Sequence, residues 1–128
     1  MKKLIFVVLL IAGLVGSVLA EVVVRCGSAS WYSVESCIKE GTSGVWTASG
    51  ERYTNEGLTC AMRLRDFGKY YKVTNLDNGK SVIVKHNDFG PNLKLYKKGR
   101  IIDLSKGAFE KISSLKKGII NVSVEEVK

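Results

Sequence analysis

The sequence of 128 residues contains one proline, one histidine and three cysteines. A single histidine, His86, and the lack of a Cys-x-x-Cys pair argue against a zinc site, and we expect neither metal nor cofactor. After residue 20, no apolar run approaches the ~18 residues that a membrane-spanning helix needs. The short length and the lack of a second long apolar run exclude a polytopic membrane protein, a nucleotide-binding fold and a large enzyme.

Acidic residues are also scarce, with 12 against 20 basic ones and a net charge of +8. The basic residues are dispersed along the chain rather than clustered, which argues against a nucleic-acid partner. An anionic polymer outside the cytosol, such as the cell wall, is the partner that this charge favours.

The first 20 residues have the layout of a secretory signal peptide. Lys2 and Lys3 precede an apolar run over residues 4–18, and Val18–Ala20 is typical of a cleavage site. We expect cleavage after Ala20, export to the periplasm or the extracellular cell wall, and one domain over residues 21–128 with a net charge of +6, because both leader lysines are lost. After cleavage we expect no stable membrane insertion. An uncleaved N-terminal anchor is the alternative.

An exported chain favours disulfide formation, and three cysteines leave one thiol over. We prefer a bond between Cys37 and Cys60, which closes a loop rich in Gly, Ser and Thr and would stabilise the fold by about 3 kcal/mol. Cys26 is then the spare thiol and could form a disulfide-linked dimer.

Hydrophobic patterning predicts an all-β domain with one helix near its end. Ser105 is a candidate N-cap, followed by apolar residues at helical spacing. Asn78-Gly79 predicts a two-residue type I′ hairpin. Residues 39–50 and 92–99 are interpreted as loops. The predicted strands are 22–34, 69–76, 81–86, 100–104 and 120–125, and together they indicate a small β-barrel with a helix inserted before the last strand.

Two acids have the best local setting for chemistry. Asp88 lies in an Asn87–Pro91 turn beside Phe89, where partial desolvation favours the protonated form that a general acid needs. In the alternative, the Asp88 carboxylate only accepts hydrogen bonds from backbone N–H groups of its own turn. Asp103 is the one acid in an apolar stretch before the predicted helix, where it could instead interact favourably with the helix dipole.

Aromatic residues could stack on sugar rings. Trp31 and Tyr32 are adjacent in a predicted strand and point to opposite sides of it, so at most one of them faces a groove and the other belongs to the core. The remaining candidates are interpreted as packing or structural residues: Trp46, Tyr53, Tyr70, Tyr71 and His86.

Five strings, in order, resemble motifs of rare lipoprotein A (RlpA) domains. The family motifs are G-x-A-S-W-Y, T-A-x-G-E, V-T-N-L-x-N-G-R-S-V, N-D-R-G-P and R-I-I-D-L-S. The matching strings are Gly27–Tyr32, Thr47–Glu51, Val73–Val82, Asn87–Pro91 and Arg100–Ser105. The resemblance implies a six-stranded double-psi β-barrel, a fold shared with expansins and barwin-like proteins. It also implies an exported peptidoglycan lytic transglycosylase, which leaves 1,6-anhydromuramyl ends.

The resemblance assigns roles to individual residues. Asp88 matches the acid/base of the family's turn motif, and Asp103 matches the aspartate on which expansins and related endoglucanases rely. We expect substrate contacts from Ser30, Trp31, Tyr32, Thr47, Glu51 and Asn87.

The chain also departs from the family pattern. Met62 occupies the position of the histidine in the family's T-A-A-H string, and Phe89 replaces the arginine of N-D-R-G-P. Lytic cleavage needs no activated water, because the muramyl 6-hydroxyl attacks its own anomeric carbon, so Asp88 alone can suffice. Met62 favours the alternative of a non-catalytic, expansin-like module that binds cell-wall glycan. A small secreted barwin-like interaction protein is a third possibility.

Overall fold

A computed structural model describes residues 5–12, 19–39 and 45–128. The strands are β1 (Ile5–Ala12), β2 (Leu19–Tyr32), β3 (Thr59–Met62), β4 (Tyr70–Asn75), β5 (Ser81–Phe89), β6 (Arg100–Ser105) and β7 (Ile120–Val127). The helices are α1 (Val34–Lys39), α2 (Leu93–Lys97), α3 (Lys106–Ile112) and a 3₁₀ helix (Leu115–Lys117). None of these described helices is long and apolar enough to cross a membrane.

Six of the strands close into a barrel. Their order is β2-β6-β3-β5-β4-β7, and β7 pairs with β2 to complete the ring. β2 with β6 and β3 with β5 run parallel, whereas the other pairs are antiparallel. The predicted fold class, an all-β domain built on a six-stranded barrel, is confirmed.

β1 pairs only with Leu19–Cys26 of β2 and does not belong to the ring. It falls within the predicted signal peptide, of which residues 1–4 and 13–18 lie outside the described part of the chain. Cleavage after Ala20 therefore stays a prediction.

The barrel core forms because apolar side chains alternate along the strands. β4 and β7 each direct every second residue inward, as the period of two requires. α3 adds Ala108, Phe109 and Ile112 to this core, and the Ser105 hydroxyl accepts a hydrogen bond from the Ala108 N–H, which confirms the predicted N-cap.

The β4–β5 hairpin differs from the predicted two-residue turn. The Asn75 N–H donates to the Lys80 carbonyl, so four residues form the loop, and Gly79 has φ = 77°. The Asn78 side-chain amide donates to the Ile112 carbonyl at the end of α3. This contact with a distant element accompanies the longer loop, and local turn chemistry does not predict it.

Two helices lie where the sequence predicted none. α1 and α2 have six and five residues, too short for a helical hydrophobic period to be recognised. The predicted helix after Ser105 is shorter than expected, because α3 ends at Ile112 and Leu115 begins the separate 3₁₀ helix.

The structure contains no Cys37–Cys60 disulfide, contrary to the prediction, since all three described cysteines are thiols. Cys60 is fully buried in the barrel core on β3, whereas Cys37 lies half-buried on α1. Burial raises the pKa of the Cys60 thiol well above its usual value, which keeps it protonated and unreactive. A dimer through Cys26 is not supported either, because this half-buried residue lies within the β2–β7 pairing, opposite Ser123.

Gly107 allows α3 to pack against residues 55–56. Its N–H donates to the Asn55 carbonyl at 2.7 Å, and a Cβ atom there would lie 2.8 Å from the Glu56 carbonyl oxygen. We expect Gly107→Ala to lower the free energy of unfolding by about 1–3 kcal/mol despite alanine's higher helix propensity. Urea denaturation measures this. Glu110→Ala, on the exposed side of α3, is the control, and equal stability of the two variants would contradict the prediction.

Candidate active site

An open pocket of about 290 Å³ lies where several barrel strands meet. Tyr32 of β2, Ala61 of β3, Asp88 and Phe89 of β5, and Arg100 and Asp103 of β6 line it. The loop after α1 adds Trp46 and Thr47. Both candidate acids therefore face the same space.

The strand register brings the two acids together. β3 lies between β5 and β6, and Ala61 pairs with Asp88 on one side and with Asp103 on the other. The two Cα atoms are thus on the same row, two strands or about 10 Å apart. The small side chain of Ala61, which also lines the pocket, leaves the space between them open.

A β-bulge directs Asp88 into the pocket. Cys60 pairs with His86 and Ala61 with Asp88, so Asn87 is the extra residue of β5. Regular alternation would place the Asp88 side chain on the same side of β5 as that of His86, but the bulge turns it to the opposite side. The predicted interruption of the strand at Asn87 is wrong, because β5 continues to Phe89 and the chain turns only at Gly90-Pro91.

A second β-bulge, in the pairing of β2 with β6, changes the direction of the β6 side chains that follow it. Ser28 pairs with Arg100 and Ala29 with Ile102, which leaves Ile101 unmatched. Arg100 and Asp103 consequently line the same pocket, although they are an odd number of positions, three, apart in a strand.

One carboxylate oxygen of Asp88 is fixed by the backbone. Oδ1 accepts from the Ala48 N–H at 3.0 Å and from the Phe89 N–H at 2.8 Å. The hydrogen bond from Phe89 is the local backbone cap that the sequence offered as the alternative role of Asp88. The hydrogen bond from Ala48 connects Asp88 to a loop that is distant in sequence. No hydrogen bond from the described residues reaches Oδ2, which leaves this oxygen available for proton transfer.

A buried cluster holds the backbone of Asp88. His86 Nε2 lies 2.9 Å from the Asp88 carbonyl oxygen and His86 Nδ1 lies 2.6 Å from Asp66 Oδ1. A backbone carbonyl and a carboxylate both only accept, so these two contacts require a hydrogen on each ring nitrogen. The Tyr71 hydroxyl donates to the other oxygen of Asp66. Burial raises the pKa of Asp66, but the hydrogen bonds from Tyr71 and His86 outweigh it and hold this pKa below its usual value.

Asp103 is oriented by two side chains. Ser30 Oγ donates to Oδ1 at 2.8 Å, and Arg100 Nε lies 3.2 Å from the same oxygen as an ion-pair contact without hydrogen-bond geometry. Capping of α3 falls to Ser105 rather than to Asp103. The helix-start alternative for Asp103 is therefore not what the structure shows.

The predicted substrate contacts divide into two groups. Tyr32 and Thr47 line the pocket. Ser30 does not line it, but its hydroxyl donates a hydrogen bond to Asp103, which does. Trp31 does not face it: its indole N–H donates to the Leu115 carbonyl at 3.2 Å and its ring packs on the core. This is the division between neighbouring residues that strand alternation predicts.

Glu51 and Asn87 connect the loop after α1 to β5. Asn87 Nδ2 donates to Glu51 Oε1 at 3.1 Å, and Lys85 Nζ lies 2.6 Å from Glu51 Oε2. Hydrogen bonds from Lys85 and Asn87 lower the pKa of Glu51. Neither Glu51 nor Asn87 is among the residues that line this pocket, and a substrate contact from either stays a prediction.

Aromatic residues interpreted as packing residues line the pocket instead. Trp46 is 56% exposed there, and Tyr53 stacks on Tyr32 with 4.7 Å between ring centroids. Burial raises the pKa of Tyr53 to about 12, and burial beside Asp88 raises that of Tyr32 further. The buried Tyr32 hydroxyl has no hydrogen-bond partner among the described residues, so it can donate to a ligand.

Met62 lies away from this chemistry. Its side chain is buried in the core cluster, and its carbonyl oxygen is 3.3 Å from His86 Nε2. Within the described residues, no group of three or more His, Cys, Asp or Glu could hold a metal ion.

The family described as lytic transglycolase matches residues 24–124. A probable endolytic peptidoglycan transglycosylase RlpA from Synechocystis sp. is 43% identical over 104 residues, which are 81% of this chain and 29% of that protein. The endolytic peptidoglycan transglycosylase RlpA of Pseudomonas aeruginosa is 42% identical over 101 residues, 79% of this chain and 27% of its own. The chain thus spans less than a third of the length of these two relatives.

Solved structures share the fold. The Streptomyces papain inhibitor superposes with a TM-score of 0.61 at 19% identity, over 82% of this chain and 94% of its own. Apo expansin from Clavibacter michiganensis superposes with a TM-score of 0.60 at 20% identity, over 82% of this chain and 50% of its own. At this identity the likeness extends to the double-psi barrel alone.

Proposed function

Because the chain belongs to the lytic transglycolase family and has its RlpA-like double-psi β-barrel, we propose that it is an exported peptidoglycan lytic transglycosylase with Asp88 as acid/base. The observation that carries the proposal is the register at Ala61, which puts Asp88 and Asp103 on one row of the same pocket. Relatives named as peptidoglycan transglycosylases support the substrate class.

In the first step, protonated Asp88 gives its proton from Oδ2 to the glycosidic oxygen that leaves C1 of the muramyl residue. The two N–H donors on Oδ1 keep the carboxyl group oriented during the transfer. Positive charge develops at C1 as the C1–O bond breaks. Asp103, held by Ser30 and Arg100, supplies negative charge on the same row and stabilises that centre.

In the second step, the 6-hydroxyl of the same muramyl residue attacks C1 and returns its proton to Asp88. A C1–O6 bond forms, the acid is regenerated, and no water is consumed. Asp88 therefore does both proton transfers, and a histidine at position 62 is not required. Trp46 and Tyr32 supply a stacking face and a hydroxyl donor for the sugars.

A non-catalytic wall-binding module is the second candidate, favoured by Met62 lying in the core where the family has a histidine. Incubation of the full chain with glycan strands stripped of peptide stems distinguishes the two. We expect products with 1,6-anhydromuramyl ends, one water lighter than hydrolysis products by mass spectrometry. Binding without such products would favour the module, and neither binding nor products would overturn both.

A further inference from the structure

Two arginines stack on one aromatic ring at the edge of the pocket. The guanidinium carbons of Arg65 and Arg63 lie 3.9 and 4.8 Å from the centroid of the Phe89 ring. They are therefore at most the sum of these distances, 8.7 Å, apart. Phe89 itself lines the pocket and directly follows Asp88.

Arg63 is fixed in this position by further contacts. Its Nη1 donates to the Pro91 carbonyl at 3.2 Å, and its guanidinium carbon lies 5.9 Å from the centroid of Tyr96. Pro91 also lines the pocket. An arginine has five N–H donors, so most of those on Arg63 remain available, and Arg65 is exposed.

Neither guanidinium has a carboxylate ion-pair partner among the described residues. The ion pairs found among the described residues involve Lys69, Lys85, His86 and Arg100, but not Arg63 or Arg65. Two like charges held within 8.7 Å of each other repel, and an anion that contacts both guanidinium groups relieves that repulsion. Paired arginines of this kind bind carboxylates through charge-assisted hydrogen bonds.

We propose that Arg63, Phe89 and Arg65 form a carboxylate-binding subsite that recognises the lactyl carboxylate of a muramyl residue. This inference rests on the proposed function and names how the pocket would select its strand. A stem-free peptidoglycan strand carries one such carboxylate on every second sugar, whereas chitin and cellulose carry none. Phe89 orders the two guanidinium groups, so the subsite is formed before the strand arrives.

Binding of three ligands measures this selectivity: stem-free peptidoglycan strands, the same strands with their carboxyl groups reduced to alcohols, and chitin oligosaccharides of equal length. At low salt we expect the full chain to bind the stem-free strands roughly 10- to 100-fold more tightly than either neutral ligand. We expect the preference to shrink as salt is raised.

Arg63→Gln/Arg65→Gln should lose the preference while retaining the affinity for chitin oligosaccharides. Lys72→Gln/Lys80→Gln removes the same charge from exposed positions on β4 and its hairpin, and it should keep the preference. An unchanged preference in the arginine variant, or an equal loss in the lysine variant, would overturn the subsite. Tighter binding of strands that still carry peptide stems would overturn the lactyl carboxylate as the ligand.

The experiments can reject the subsite and the proposed activity independently of each other. A preference for the anionic strand without anhydromuramyl products would retain the subsite and reject the enzyme. Products formed without any preference between charged and neutral ligands would retain the enzyme and reject the subsite.

Discussion

Asp88→Asn is expected to slow the formation of 1,6-anhydromuramyl products by about 10²- to 10⁴-fold, the usual contribution of a general acid/base. Asparagine has the same shape, and its side-chain oxygen can still accept from the Ala48 and Phe89 N–H groups. It has no proton to give to the leaving oxygen and cannot accept one from the 6-hydroxyl. We expect strand binding to be retained, because the substitution leaves the pocket's shape unchanged.

The rate is measured by mass spectrometry of products from stem-free strands over time. Asp77→Asn makes the same chemical change in the exposed β4–β5 loop and should have no effect on the rate. Equal rates for wild type and Asp88→Asn would remove Asp88 from its proposed role. A loss of binding along with activity would show instead that Asp88 positions the strand.

Asp66→Asn is expected to lower the free energy of unfolding at neutral pH by about 2–3 kcal/mol, because it weakens two hydrogen bonds to a charged group. For a domain of this size, that corresponds to a fall in Tm of about 10 °C or more. The fully buried His86 would then lack its carboxylate partner.

The effect of Asp66→Asn should depend on pH. The hydrogen bonds from Tyr71 and His86 hold the pKa of Asp66 in the folded protein below its unfolded value. Such a group stabilises the fold above the unfolded pKa, about 3.9, and the contribution is lost as the pH falls through the lower folded pKa. The difference between wild type and variant should therefore be largest near pH 7 and decrease below about pH 4.

Urea denaturation between pH 3 and pH 7 measures this dependence. Tyr71→Phe removes only one of the two hydrogen bonds and should have a smaller effect of the same sign. Asp77→Asn again serves as the control for a carboxylate without these partners. A stability difference that stays constant across the whole range would contradict the role of the ionised Asp66.

The sequence determined much of the fold. Alternation along β4 and β7, the Ser105 cap and the order of five family strings were enough to predict a six-stranded barrel with a helix before the last strand. These signals are local, because a period of two and a cap are properties of neighbouring residues. The same strings selected Asp88 and Asp103, the two acids that line the pocket.

Asp66, by contrast, had no local signal. It lies outside any strand or helix, and its partners His86 and Tyr71 belong to β5 and β4. Trp46 likewise could not be told from a packing residue, because exposure at a pocket depends on what the rest of the chain covers. The missing Cys37–Cys60 bond has a similar cause, since the barrel buries one thiol and leaves the other at the pocket.

The sequence by itself thus determined most of the barrel strands and which acids to consider, because both follow from short sequence patterns, whereas β3, α1 and α2 had no such signal. Only the tertiary structure decided that the acids share a pocket. That outcome depends on β3 pairing with β5 and β6 at once, and on bulges at Asn87 and Ile101 that reset the direction of the side chains after them. Register and bulges are selected when all six strands close together, since one slipped residue would turn every following side chain to the opposite face.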